Sequence, residues 1–195
     1  MGTVPDLRIE EQPIARLDEH AQVPIAFVVE RILGVSAPDS GLGGIRLTEA
    51  AVETPWVKDY DAIKGEGPTR WPKRFDTSNW GLIAAYDRRE RIGGAVIAFN
   101  TADVHMLKSR GDLAVLWDIR VRPDSRSAGV GSVLFHAAEA WSRTRGCRVM
   151  KVETQNVNLP ACRFYTRMGC TLGAINRRAY PERSDETQLL WFKDL

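Results

Sequence analysis

The sequence predicts an α/β or α+β sheet protein, and three observations carry that prediction. Apolar, β-rich runs dominate the first half, a strand–helix–strand–helix order follows, and two further apolar runs close the chain. At 195 residues the chain has the length of one domain, expected to span 1–195. A chain of this size buries roughly 70% of its unfolded surface, so its core needs neither metal nor disulfide. With 27 basic against 25 acidic residues the formal charge is only +2, too weak a field to point to nucleic acid. Neither nucleic acid nor a membrane is expected as a partner, and the chain is expected to be a monomer or homodimer.

Cys147, Cys162 and Cys170 form no C-x-x-C pair and have no histidine at zinc-finger spacing. No metal is expected, and an odd count without a framework points to reduced thiols in a cytoplasm. "MGTVPDLRIE" lacks the apolar stretch of a secretory leader. "IAFVV" and "GLIAAY" are far too short to span a bilayer. A cytoplasmic location follows as the expectation.

"IAFVVERIL" (25–33) reads as a strand, being rich in β-branched and aromatic residues. "GVSAPDSGLGG" and "GEGPTRWPKRFDTSN" read as loops. Between them "LTEAAVETPWVKDYDAI" reads as one or two short helices, capped at Thr48 and broken at Pro55. "WGLIAAY" and "RIGGAVIAF" are strands joined by "DRRE", a hairpin connection. In "LAVLWDIRV" (113–121) the odd positions form one apolar face, while Asp118 and Arg120 make the other polar at its end. Val130, Val133, Leu134, Ala137, Ala138 and Trp141 then recur with helical spacing, and Gly146 stops that helix. "RVMKVETQ" is the next strand. Asn158 reads as an N-cap with Pro160 in the first turn, and Ala161, Phe164, Tyr165 and Met168 as the buried stripe of a second helix ended by Gly169. "TLGAINRRAY" and "TQLLWFKDL" are the closing strands.

The connection between the 113–121 strand and the first long helix reads "RSAGVG". It is not a P-loop, because no G-x-x-x-x-G-K-[ST] exists, nor a dinucleotide turn, because the third glycine position is Leu134. What remains is R-x-x-G-x-G between a strand and a helix. Glycines let a ligand approach the backbone closely, and the unpaired first-turn amides with the helix dipole attract an anion. The same two glycines also serve a simple sharp turn.

R-x-x-G-x-G after Val-x-Pro resembles the acetyl-CoA signature of the GNAT superfamily of N-acyltransferases. "ETQNVNLPACRFYTRMGC" is similar to that superfamily's N-x-x-A-x-x-F-Y-x-x-x-G-F, with Cys170 in place of the final aromatic. "LGAINRRAYPE" and "LLWFKDL" look most like the streptothricin acetyltransferases, a likeness that thins upstream to "IRLTEAAVETPWVKDYDAI". The resemblance implies a mixed, mostly antiparallel sheet flanked by helices, whose fourth and fifth strands ("LWDIRV" and "VMKVETQ") splay apart around pantetheine. Residues 112–170 would form the acetyl-CoA-binding core and residues 1–80 a variable acceptor-side portion. The backbone of Ile119, Arg120 and Val121 would pair with pantetheine. The amides of Arg126, Ser127, Ala128, Gly129, Val130, Gly131 and Ser132 would hold the pyrophosphate, and Asn158, Ala161 and Tyr165 would touch the cofactor. Acetyl-CoA is then the co-substrate.

Acetyl transfer to nitrogen requires a neutral amine, a stabilised oxyanion and a proton for the thiolate. A lysine-type amine, with a pKa of about 10.4, is mostly protonated at neutrality, so a base is needed. Glu153 is the first candidate, acting directly or through water; its spacing from Tyr165 is similar to the Glu/Tyr pair of ribosomal-protein N-terminal acetyltransferases. It reads equally as a substrate-orienting carboxylate. Asp118 is the rival, and the two carboxylates together suit a cationic acceptor. Tyr165 is the acid candidate, since a phenol of pKa about 10 matches a thiolate whose conjugate acid lies near 8.5. A backbone N–H near Ile119 would meet the oxyanion. Cys162, without a matched histidine, reads as a small buried residue rather than an acyl carrier. Arg163 and Arg167 read as a solvated face, His136 as surface, and His20 and His105 carry no signal. The expected activity is acetyl transfer to a primary amine of a small cationic acceptor, plausibly a streptothricin-type antibiotic. Transfer to a protein N-terminus or a polyamine, or a silent acetyl-CoA-binding module, are the alternatives.

Overall fold

A computed structural model describes residues 7–183 and 185–195. The expectation about an N-terminal leader falls partly on residues 1–6, which lie outside that description. Nine strands are present among the described residues: β1 (Leu7–Gln12), β2 (Phe27–Ser36), β3 (Arg46–Lys58), β4 (Gly81–Asp87), β5 (Glu90–Ala98), β6 (Leu113–Val121), β7 (Val149–Gln155), β8 (Thr171–Asn176) and β9 (Gln188–Asp194). The helices are α1 (Leu17–Ala21), α2 (Trp71–Arg74), α3 (Val130–Arg143) and α4 (Leu159–Arg167), with short 3-10 turns between elements. Seven strands share one sheet in the order β1-β4-β5-β6-β7-β9-β8, and β2 pairs with β3 alone. The β1/β4, β4/β5, β5/β6 and β8/β9 pairings are antiparallel. No described helix is long and apolar enough to cross a membrane.

Contacts divide the chain into two compact units. One comprises the described residues through Ala26, Asp59–Lys151 and Asp194–Leu195; the other comprises Phe27–Lys58 and Val152–Lys193.

In the first unit, α3 packs on β4, β5 and β6. Val130, Leu134, Ala138 and Trp141 face inward as their spacing requires. Val133 does not: it is 40% exposed, and Phe135 is fully buried in its stead. The buried arc is centred on Leu134 and Ala138, so it reaches one position further round than the heptad-like stripe implied. The opposite sheet face carries Leu82, Val96, Leu113 and Val115 under Trp71, Phe75, Trp80 and Trp117. The Trp80 and Trp117 rings lie 5.2 Å apart, and Phe75 meets Trp117 edge-on at 5.3 Å.

β6 departs from simple alternation. Its register with β5 slips between Ile97↔Leu116 and Val96↔Asp118, leaving Trp117 as an extra residue. Such a bulge reverses the facing of everything beyond it. Val115 pairs with Ala98 on the tryptophan face, and Asp118 and Arg120 then pair with Val96 and Gly94 on that same face. Ile119 and Val121 pair with Ala95 and Gly93 toward α3. The continuous apolar face expected over positions 113–121 is therefore corrected: the bulge turns two charged side chains into the tryptophan side.

In the second unit, the segment expected to be helical is the long strand β3, hydrogen-bonded along β2 from Phe27↔Lys58 to Ser36↔Arg46. Pairing overrides the helix propensity of its alanines and glutamates, and Pro55 is tolerated because β3 has a partner on one side only. α4 begins as expected, with the Asn158 Oδ1 accepting the Ala161 N–H at 3.2 Å. Leu159, Cys162 and Tyr165 are its buried residues, while Ala161, Phe164 and Met168 are only half-buried. Gly169, at φ +77°, ends it. β1, α1 and α2 were not foreseen.

Candidate active site

Within the first unit, β6 runs out at Val121 and a 3-10 turn, Pro123–Ser125, leads into "RSAGVG". Arg126 folds back as a staple. Its Nε donates to the Val121 carbonyl at 3.0 Å and its Nη2 to the Ala26 carbonyl at 3.1 Å. Its amide turns toward Pro123 O, 3.4 Å away, so of the seven amides expected to hold pyrophosphate this one is already engaged. Beyond it, Ser127 (φ +65°) and Gly129 (φ +86°) are left-handed, a conformation that gathers successive N–H groups into an anion-binding concavity. The first bond of α3 runs from Val133 N–H to Gly129 O, which leaves Val130, Gly131 and Ser132 as the orphan donors of the helix start. A Cβ added at Gly129 would meet nothing within 4 Å. The glycine is demanded by its backbone angle, and the space beside it is open. Uncommitted amides, a helix N-terminus and an open approach fit a diphosphate.

The β6 backbone divides its three expected contacts. Arg122 N–H donates to Ile92 O on β5 at 2.8 Å; by alternation Arg120 also faces β5, whereas Ile119 and Val121 present their backbone groups to the other edge. Arg120 is thus corrected as a backbone contact, and its side chain has a different task. All five of its donors are used: Nε and Nη2 on Asp118 at 2.9 and 2.8 Å, Nη1 on Asp61 Oδ2 and Val23 O at 2.7 and 3.1 Å, and Nη2 again on Asp61 Oδ1 at 3.2 Å. His20, fully buried on α1, adds its Nε2 to Asp118 Oδ1 at 2.8 Å. Gly94 makes room for it, since a Cβ there would lie 2.6 Å from the imidazole.

Burial alone would raise the Asp118 carboxyl, but the Arg120 guanidinium and the His20 hydrogen bond outweigh it and hold the group well below the usual carboxylate range. Burial depresses His20 below 6.5 despite Asp118, so the imidazole is neutral and donates from Nε2. Arg120 is raised further: burial opposes its charge, but Asp118 and Asp61 more than restore it. Asp118 is an ionised, neutralised strut, not a group waiting for a proton.

Within the second unit, Glu153 sits half-buried on β7. Its Oε1 accepts the Tyr180 hydroxyl at 2.5 Å and, more weakly, the Gln155 amide at 3.4 Å; its Oε2 accepts the Gln188 amide at 2.7 Å. All three donors are neutral. The residues before Gln188 are pinned as well. Thr187 exchanges main-chain and side-chain bonds with Asn156, and Glu186 pairs with Lys58. On α4, Tyr165 is 5% exposed and packs edge-on against Phe164 at 5.2 Å. Cys162 lies 3.5 Å from Thr154 Oγ1, and burial raises its thiol above the ordinary value, which suits a buried thiol better than an acyl carrier. Arg163 pairs with Glu49 and is largely solvated, and His136 is 65% exposed on its helix. Among the described residues no group of histidines, cysteines and acids could hold a metal ion.

His20, Asp61, Tyr180 and Gln188 were missed in the sequence. Each acts across a long separation, from 27 to 98 residues, and no local pattern marks such pairs.

A mostly antiparallel sheet with an amide-lined strand-to-helix loop fits a protein that holds a diphosphate-bearing cofactor. The sequence profile of the Acetyltransferase (GNAT) family matches residues 50–170, and the chain belongs to that family. It is 28% identical over 169 residues to the streptothricin acetyltransferase of Escherichia coli, covering 85% of this chain and 84% of that one. Two solved structures share the fold with a TM-score of 0.74 each. One is a nourseothricin acetyltransferase, 22% identical, covering 96% of this chain and 98% of that one. The other is from Bacillus anthracis str. Ames, provisionally named a streptothricin acetyltransferase and solved in complex with acetyl coenzyme A; it is 24% identical, covering 97% and 99%. The protein is a GNAT acetyltransferase close to the streptothricin acetyltransferases.

Proposed function

We propose that the protein transfers an acetyl group from acetyl-CoA to a primary amine of a small cationic acceptor of the streptothricin type, by direct transfer. The amides from Ser127 to Ser132 take the diphosphate, the backbone of Ile119 and Val121 on the edge away from β5 pairs with pantetheine, and Asn158, Ala161 and Tyr165 complete the cofactor contacts. Glu153 removes the ammonium proton. The freed nitrogen bonds to the thioester carbon, the C–S bond breaks, and Tyr165 gives its phenolic proton to the departing sulfur, regaining one from the acylated nitrogen. The N–H of Ile119 steadies the oxyanion. Asp118 holds β6 in place and takes no proton.

One observation carries this assignment: Glu153 is held by neutral donors only, while Asp118 is cancelled by Arg120. An uncancelled carboxylate both attracts a cationic amine and accepts its proton. The relatives' shared naming supports the acceptor class, and three buried free thiols fit a reducing cytoplasm. Incubation with acetyl-CoA and streptothricin should release free thiol in step with acceptor. No thiol release would remove the acceptor assignment and leave the family membership standing.

A further inference from the structure

Glu153 has two oxygens in unequal surroundings. Oε1 receives Tyr180 at 2.5 Å and Gln155 at 3.4 Å, filling both of its acceptor positions; Oε2 receives only Gln188, at 2.7 Å. Tyr180 is itself organised for this bond. The Gln155 amide donates to its hydroxyl oxygen at 2.7 Å, which polarises the O–H toward the carboxylate. The Arg183 guanidinium lies 4.9 Å from the centre of its ring, Arg183 N–H donates to Tyr180 O at 3.0 Å, and Arg183 Nε is tethered 3.5 Å from Glu186. Arg183, in the turn after β8, therefore covers the ring, while Gln155, at the end of β7, holds the phenol oxygen.

We infer that Tyr180 is a positioning residue for acetyl transfer, clamping Oε1 of Glu153 so that Oε2 is the atom that meets the acceptor's ammonium and takes its proton. The inference rests on Glu153 being the base. Gln188 sets the second edge of the same clamp. A hydrogen bond to the charged form of an acid favours that form, so removing one of these donors is a change that a pH profile can read.

The test is the pH profile of kcat/KM for thiol release with acetyl-CoA and streptothricin, for the parent, Glu153→Gln, Tyr180→Phe and Gln188→Met. In Tyr180→Phe the acid limb moves up by about one pH unit, as expected for one charge-assisted hydrogen bond, with KM for acetyl-CoA unchanged. Gln188→Met moves the limb in the same direction, which guards against a folding defect peculiar to one variant. A limb that stays in place in both variants, or a loss uniform across pH, overturns the inference while Glu153→Gln still abolishes the limb. If Glu153→Gln retains the parent's limb, or if the parent releases no thiol, the underlying base assignment falls and takes the inference with it.

Discussion

Two carboxylates that look interchangeable in the sequence differ in what neutralises them, and under the proposed mechanism that difference separates stability from catalysis. Asp118 is buried against Arg120 and His20. Removing one partner of a buried ion pair leaves an uncompensated charge and costs about 3–5 kcal/mol. Asp118→Asn should therefore lower the denaturation midpoint severely, and lose activity only as far as it loses fold. Glu153→Gln should instead keep its midpoint within about 1 kcal/mol of the parent and lose roughly 10²–10⁴-fold in kcat/KM. Chemical denaturation and steady-state rates on both variants check the contrast. His20 gives a pH signature. Burial lowers its folded pKa below 6.5, so between the two values the unfolded chain binds a proton that the folded chain refuses. Stability contributed by this group is complete above 6.5 and lost as pH falls below it. Thermal scans at pH 7.5 and 5.5 should show a larger drop for the parent than for His20→Gln; equal drops would refute a neutral buried imidazole. The same residue explains why sequence reading stopped short here. Asp118 was legible as a polar residue at the end of an apolar strand, sharing a face with Arg120 by alternation, but His20 lies 98 residues upstream, and the bulge at Trp117 is what turns the pair toward it.

The loop opening α3 is an element whose glycine has a backbone reason, and in the proposed mechanism a ligand reason as well. At φ +86° any side chain strains the backbone, by roughly 1–2 kcal/mol, yet a Cβ would meet no protein atom. Gly129→Ala should accordingly lower the thermal transition by only a few degrees, while weakening coenzyme A, measured by titration calorimetry, by more than about tenfold. Asn158→Ala is the companion. Loss of the cap on α4 costs about 1 kcal/mol, and an accompanying loss of coenzyme A affinity separates a cofactor contact from a cap alone. Elements with a strong period were readable: β6 and the glycine-opened α3 fall where their apolar spacing puts them. β3 was not, because alanine, glutamate and valine in "EAAVE" satisfy a helix and a strand equally, and pairing with β2 decides. β1 and α1 are six and five residues long, too short for either period to emerge.

Across the whole molecule, neither compact unit is a contiguous stretch of chain. The first is assembled from three segments and the second from two, and β7 gives Val149–Lys151 to one and Val152–Gln155 to the other. Neither unit is a single continuous fragment of the chain. We therefore expect the 195 residues to unfold in one cooperative transition, with calorimetric and van't Hoff enthalpies equal. Acetyl-CoA should move that transition as a whole. At a free concentration of 100 times its dissociation constant, a ligand bound only by the folded state adds about 2.7 kcal/mol. For a chain of this size each kcal/mol is worth roughly 2–4 °C, so the midpoint should rise by about 5–10 °C. Calorimetry with and without acetyl-CoA reads both quantities in one experiment. Two resolved transitions, of which the ligand shifts only one, would show that the units fold independently and that cofactor binding reports on one of them alone.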